Sequence, residues 1–171
     1  LDTYDRLQCR CGGCGVRARV RTCGCRLKIL NVGRRRARRE ALFLLYQADL
    51  MRVGKQNVLE RVEDPAVTID PYTRHLVTMV LSMQDFLDAS LDQHLTGWVV
   101  ARLAPLERNI LRIAAYELRP DSDVPMSVAI DEAVGLAKRY CSNEAGSLVN
   151  GVLAALAGDM QTADDGNGTR S

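Results

Sequence analysis

The sequence predicts an all-α protein, folded as a compact bundle of about seven helices. Apolar residues recur at intervals of three and four along most of the chain, which is the period of a buried helix face. The alternation with period two that would indicate strands is missing from the sequence. Proline and aspartate stand where helices would begin, and glycine and proline stand where they would end. Together these observations favour helices packed on helices.

The predicted helices follow one another with short connections. Asp70-Pro71 is a start signal, because aspartate caps a helix and proline suits its first position. Pro105 and Pro120 bound the clearest helix, whose apolar residues are spaced for one buried face. Gly54 is expected to end the first helix. The predicted helices span residues 34–52, 56–64, 71–84, 86–96, 105–119, 126–140 and 144–158.

Both ends of the chain are predicted to lie outside the bundle. Residues 1–33 are rich in Arg, Gly and Cys and contain too little Leu, Ile and Phe to bury a core. Since the chain also begins without Met, this segment is interpreted as a disordered or non-native extension. Residues 34–158 form the predicted domain, and the polar residues 159–171 are expected to be a disordered tail.

Five of the six cysteines lie between Cys9 and Cys25. Only Cys11 and Cys14 have the two-residue spacing that is usual in zinc sites. A zinc site is therefore the alternative to a disordered segment, and the disordered segment is favoured, with no metal and no cofactor expected. Cys141 stands apart and is interpreted as a packing residue.

The net charge of +2 hides an uneven distribution along the chain. Residues 1–40 carry a net charge of +9, whereas residues 41–171 carry −7. An anionic partner would therefore bind near the first helix. No run of about 18 uncharged apolar residues could span a membrane, and the N-terminus lacks the apolar segment of a signal peptide, so we expect a cytoplasmic protein.

The sequence does not favour catalysis. The two histidines, His75 and His94, lie in predicted helices without another ligand or base at suitable spacing. Asp131 and Glu132 are adjacent carboxylates, but neighbours on a helix point about 100° apart, which is poor geometry for a shared acid–base site. We therefore predict that the protein acts by binding and is not an enzyme.

The arginine run at residues 34–39 is the strongest functional signal in the sequence. Its five guanidinium groups would repel one another unless an anion lay opposite them, and guanidinium forks match phosphate oxygens. At helical spacing, Arg35, Arg39 and Tyr46 fall in one stripe beside the buried leucines, with Phe43 adjacent. Arginines interleaved with aromatic residues on a helix indicate nucleic-acid binding.

Four segments of the sequence together resemble one known family. They are RRRARREAL followed by Tyr46, LRIAAYEL at 111–118, DVPMSVAIDEAVGLAK at 123–138 and VNGVL at 149–153. In order and spacing they are similar to the NusB family of bacterial transcription antitermination factors, over about residues 34–158. The resemblance implies a seven-helix NusB-like fold. It also implies a factor that binds boxA RNA of nascent ribosomal RNA together with NusE, a small-subunit ribosomal protein, and that joins an RNA polymerase antitermination complex.

The resemblance also implies positions for RNA contacts. The family often carries an aromatic residue where this chain has Leu148, which has no ring on which a base could stack. Asn150 offers an amide that could contact base edges. The implied RNA-binding residues are Arg34, Arg35, Arg36, Arg38, Arg39, Tyr46, Leu148 and Asn150.

The partner surface is predicted from charge alone. The acidic body of the domain would complement a basic ribosomal protein. Acidic residues on the 105–119 and 126–140 helices are the candidates, namely Glu117, Asp131 and Glu132.

Two other interpretations of the same fold remain open from the sequence. The chain could be a protein-interaction factor or homodimer in which a partner masks the arginine face. It could also be the N-terminal RNA-binding fragment of a ribosomal RNA methyltransferase, because a NusB-like domain occurs in some of those enzymes.

Overall fold

The computed structural model describes the backbone of residues 26–167 and the side chains of residues 33–161. Within these residues the fold is all-α, as predicted. Seven α-helices are joined by short connections and one 3₁₀ turn, Val100–Arg102. The helices are α1 (Arg26–Met51), α2 (Lys55–Glu63), α3 (Pro71–Ser82), α4 (Gln84–Asp92), α5 (Pro105–Glu117), α6 (Met126–Tyr140) and α7 (Asn143–Asn167).

Helix α1 differs from its predicted bounds at both ends. It begins at Arg26, so residues 26–33 are helical and not a loop. It ends at Met51, where Arg52 adopts a left-handed backbone with φ 52°. The amide of Val53 then donates to the carbonyl of Ala48 (3.0 Å), and this closes the helix. Gly54, which the sequence suggested as the stop, instead precedes α2.

Other boundaries follow the local signals more closely. The Asp70 carboxylate accepts hydrogen bonds from two backbone amides of α3, as a capping aspartate should. Helix α7 runs through Gly158 to Asn167, whereas the sequence predicted an end near residue 158. A carboxylate oxygen of Asp159 lies 3.6 Å from Nε2 of His94, so the extended part of α7 contacts the turn that follows α4. The predicted disorder of residues 1–25 and 168–171 lies outside the described residues.

Helix α5 is the centre of the bundle, since it packs against α1, α3, α4, α6 and α7. Its sequence pattern predicted one buried face, but eight of its 13 residues are buried. Three of these are polar, and each bonds to a neighbouring helix. Asn109 donates to Asp49 of α1 (2.8 Å), and Arg112 donates to both carboxylate oxygens of Asp88 in α4 (2.6 and 2.7 Å).

The third buried polar residue of α5 is Glu117, which is 1% exposed. Nε of Arg38, itself 2% exposed, donates to both of its carboxylate oxygens at 2.8 and 2.9 Å. The Tyr72 hydroxyl of α3 also donates to Glu117. Burial, followed by the negative charge of Glu117, raises the pKa of Tyr72, so its hydroxyl stays protonated and able to donate. One carboxylate therefore joins α1, α3 and α5.

This ion pair corrects two predictions made from the sequence. Arg38 was expected to contact RNA and Glu117 to contact a protein partner, but each is buried against the other. The physical reason is that Arg38 shares the face of α1 that carries Ala41 and Leu45, both of which are buried.

Among the described residues, no helix is long and apolar enough to cross a membrane.

We predict that Arg38→Met costs about 3–5 kcal/mol of unfolding free energy, because it leaves the Glu117 charge buried without its partner. The double variant Arg38→Met with Glu117→Gln should recover most of that decrease, since glutamine is neutral and can still accept from Tyr72. Chemical denaturation measures both variants.

The matched control is Arg39→Ala, which removes an exposed arginine one position along the same helix. It should change the unfolding free energy by no more than about 0.5 kcal/mol. Equal decreases for the two single variants would contradict the role of the buried pair.

Candidate nucleic-acid interface

The five arginines of the run at residues 34–39 point in different directions. Arg34 binds Asp123, in the α5–α6 connection, through two hydrogen bonds of 2.5 and 3.2 Å. Arg36 pairs with Glu40 one turn further along α1 (2.7 Å). Arg38 is buried with Glu117. The run is thus divided between packing and surface roles, which its sequence alone does not distinguish.

Arg35 and Arg39 lie one turn apart on the exposed side of α1. Arg35 pairs with Glu132 of α6, whose second oxygen lies 3.9 Å from Nη1 of the buried Arg38. Arg39 is exposed and has no ion-pair partner among the residues that the structure describes. These two guanidinium groups are therefore placed to meet an anion in solvent.

Aromatic residues continue the same surface. Phe43, one turn beyond Arg39, is 36% exposed, and its ring meets that of Tyr140 edge to face with centroids 5.1 Å apart. The guanidinium of Arg139 lies 5.7 Å from the Tyr140 ring centroid. We call Arg35, Arg39, Phe43 and Tyr140 the arginine–aromatic strip. Its α1 part was visible in the sequence. Tyr140 joins it only because its ring, at the end of α6, contacts the Phe43 ring of α1.

The other predicted RNA contacts lie on α1 and α7. Tyr46 is half-buried, one turn from Phe43 along α1. Asn150 is exposed on α7, so its amide is available to a ligand. Leu148 is half-buried and lines a groove together with Trp98. The structure thus brings an exposed aromatic residue beside Leu148, which sequence reasoning did not identify.

A second aromatic cluster lies on α3 and α5, away from the strip. Tyr116 hydrogen-bonds His75 (2.8 Å), and the His75 and Tyr72 rings stack at 6.3 Å. Arg34 lies 4.8 Å from the Tyr72 ring centroid. The hydrogen bond from Arg34 lowers the pKa of Asp123, so this carboxylate stays ionised and neutralises the guanidinium. The cluster is internally paired and offers less free positive charge than the strip.

The candidate partner residues have different environments. Glu117 is buried, and Glu132 is occupied by Arg35 with only 14% of its side chain exposed. Asp131 is exposed on α6. Of the three, only Asp131 presents an open carboxylate to a protein partner.

The described residues contain no group of three or more His, Cys, Asp and Glu side chains that could hold a metal ion. The five clustered cysteines fall outside the described residues, so the zinc alternative is not addressed by the structure. Burial, followed by the negative charge of Glu107, raises the pKa of the Cys141 thiol, which makes it a poor nucleophile.

The seven-helix bundle and its arginine-bearing first helix coincide with a known family. The sequence profile of the NusB family matches residues 35–158, and the chain belongs to that family. The resemblance inferred from four sequence segments is thereby confirmed. The matched region covers the described bundle from the arginine run to the middle of α7.

Individual relatives and solved structures align with this chain over a similar share of its length. The chain is 40% identical over 128 residues to the transcription antitermination protein NusB of Bacillus subtilis, an alignment that covers 75% of this chain and 97% of that protein. NusB of T. maritima superposes with a TM-score of 0.61 at 32% identity, over 74% of this chain and 91% of that one. A crystal structure of antitermination factors NusB and NusE in complex with dsRNA gives a TM-score of 0.63 at 28% identity, over 74% of this chain and 97% of that one.

Proposed function

We propose that this protein is a transcription antitermination factor, which binds boxA-type single-stranded RNA of nascent ribosomal RNA together with NusE in the cytoplasm. Family membership supports the class of function. The arginine–aromatic strip is the single observation that carries RNA binding, because it places exposed guanidinium groups and aromatic rings on one continuous surface. The role is one of binding, without catalysis by this chain.

The strip has the two components that single-stranded RNA recognition requires. Arg35 and Arg39 supply phosphate contacts, while Phe43 and Tyr140 offer ring surfaces on which bases stack. From Arg35 to Tyr46 the helix rises about 16 Å, enough for several nucleotides. Asn150 contributes an amide for base edges. Arg34 and Arg36 lie at the margins of the strip, where Asp123 and Glu40 offset their charge.

The partner protein is proposed to bind beside the RNA and not on the strip. A solved relative was crystallised as NusB with NusE and dsRNA, so all three components coexist in that complex. In this chain, residues 41–171 carry a net charge of −7, which suits a basic ribosomal protein. Asp131 is the proposed contact, since Glu117 is buried and Glu132 binds Arg35.

Replacing Arg35 and Arg39 together by Ala should weaken binding of boxA RNA and make its dependence on salt shallower. For single strands, removing one phosphate neutralisation lowers the slope of log affinity against log salt by about 0.7. Removing both arginines therefore predicts a slope lower by about 1.4. Fluorescence anisotropy with labelled RNA between low and physiological salt, with and without NusE, measures both quantities.

An unchanged slope in this double variant would place the RNA elsewhere on the protein. Replacing the arginines Arg61 and Arg74 of α2 and α3 by Ala gives a charge-matched control, which should leave the affinity and slope unaltered. Unlabelled duplex of the same sequence tests the form of RNA, and it should compete less well than the single strand.

Glu132→Gln should strengthen RNA binding by about 1.5- to 5-fold, the range expected for releasing Arg35 from a partly exposed ion pair. The same substitution should leave NusE binding unchanged. Weaker NusE binding with unaltered RNA affinity would show instead that Glu132 contacts the partner. Titration of each ligand separately distinguishes these outcomes.

A further inference from the structure

Glu132 lies between an exposed arginine and a buried one. One of its carboxylate oxygens accepts a hydrogen bond from Nε of Arg35, whose side chain is 66% exposed. The other oxygen lies 3.9 Å from Nη1 of Arg38, whose side chain is 3% exposed. Since α6 carries Glu132 and α1 carries both arginines, this one carboxylate connects the surface of the strip with the interior of the bundle.

Glu132 has little freedom to move. Only 14% of its side chain is exposed, and a carboxylate that has lost most of its hydration is held close to its positive partners. Arg38 is itself fixed, because its Nε donates to both carboxylate oxygens of Glu117 in α5. A chain of ion pairs therefore leads from Glu117 in the core, through Arg38 and Glu132, to Arg35 at the surface.

Arg35 meets Glu132 through the stem side of its guanidinium group. Nε donates to the carboxylate, whereas the two terminal nitrogens, Nη1 and Nη2, make no hydrogen bond to the residues that the structure describes. These two nitrogens form the fork that binds a phosphate through two parallel hydrogen bonds. The hydrogen bond at Nε thus leaves the fork open to solvent and limits the directions in which it can point.

The other paired arginines at the surface of the run are held differently. Arg34 donates through both Nη1 and Nη2 to Asp123, so its fork is already occupied. Arg36 pairs through Nε, but its partner Glu40 belongs to the same helix and is 33% exposed, so that carboxylate is held less firmly than Glu132. Arg35 is therefore the surface arginine whose orientation is set from the core.

We propose that Glu132 is a positioning residue for RNA binding, which holds the Arg35 guanidinium by Nε so that Nη1 and Nη2 meet one phosphate together. The inference rests on the proposed RNA-binding function and adds the group that orients one of its phosphate contacts. An arginine that is oriented before the RNA arrives loses less rotational freedom when it binds. The negative charge of Glu132 opposes the phosphate, so its orienting effect and its charge act in opposite directions.

Two neutral substitutions separate these effects. Glu132→Gln removes the charge and keeps an oxygen that can accept from Nε of Arg35, whereas Glu132→Ala removes both. Glu132→Ala should therefore bind boxA RNA about 2- to 12-fold more weakly than Glu132→Gln, the range for ordering one flexible side chain. Fluorescence anisotropy measures both affinities, and chemical denaturation establishes that each variant is folded. Equal affinities for the two folded variants would overturn the positioning role.

Arg35→Lys tests the fork without changing the net charge. Lysine meets a phosphate as a point charge and cannot supply two parallel hydrogen bonds from a planar fork. In the parent, this substitution should weaken RNA binding by about 2- to 12-fold, the range for losing one hydrogen bond, and should leave the salt slope unchanged. In the Glu132→Ala background it should cost less than about 2-fold, because the fork is no longer oriented there.

Arg39→Lys is the matched control, since Arg39 has no ion-pair partner among the residues that the structure describes. Its effect on RNA binding should be the same in the parent and in the Glu132→Ala background. The comparison also remains decisive if Glu132→Ala fails to fold. In the parent, Arg35→Lys should then cost more than Arg39→Lys, and equal costs would contradict an orienting role for Glu132.

The outcomes separate this inference from the function on which it rests. If the Arg35→Ala, Arg39→Ala double variant loses RNA binding while Glu132→Ala and Glu132→Gln bind alike, the positioning role is wrong and the proposed function stands. If Arg35→Lys costs the same in the parent and in the Glu132→Ala background, the positioning role is again wrong. If the parent itself binds no RNA, alone or with NusE, both proposals fail.

Discussion

The buried ion pair between Arg38 and Glu117 is the interaction on which the arrangement of the arginine-bearing helix depends. It fixes the rotation of α1 against the central helix α5, and the Tyr72 hydroxyl adds α3 to the same carboxylate. A buried charge tolerates little displacement, because its desolvation is offset only when its partner remains in place. The register between these three helices is therefore set by polar geometry as well as by apolar packing.

The surface chemistry follows from that fixed rotation. With Arg38 turned inward, Arg35 and Arg39 lie on the outer side of α1, and Phe43 continues their line. Helix α6 then brings Glu132 beside Arg35 and Tyr140 beside Phe43, so α6 both restrains the positive charge and extends the aromatic surface. The five arginines of the run at residues 34–39 can lie close together without a ligand, because most of them have carboxylate partners within the fold.

Local signals in the sequence predicted the helices well, and they identified part of the surface that is proposed here as the RNA site. The bounds of α6 and the capping role of Asp70 were correct, because each depends on a few neighbouring residues. The burial of Arg38 had a signal that was overlooked, since Arg38 shares the helix face of Ala41 and Leu45. No local signal predicted where Trp98 and Tyr140 would lie on the surface, because their positions depend on contacts between distant segments. Arg52 ends α1 in a conformation that usually favours glycine, so propensity pointed to Gly54 instead.

Amide hydrogen exchange along α1 in the RNA-free protein tests most directly whether the buried pair fixes this helix before any ligand arrives. If it does, the amides from Arg38 to Tyr46 will be protected to a degree similar to those of α5. Adding RNA would then alter their protection only slightly. Rapid exchange of these amides in the free protein, followed by strong protection when RNA binds, would contradict the account, because the helix would then be ordered by the RNA and not by Glu117.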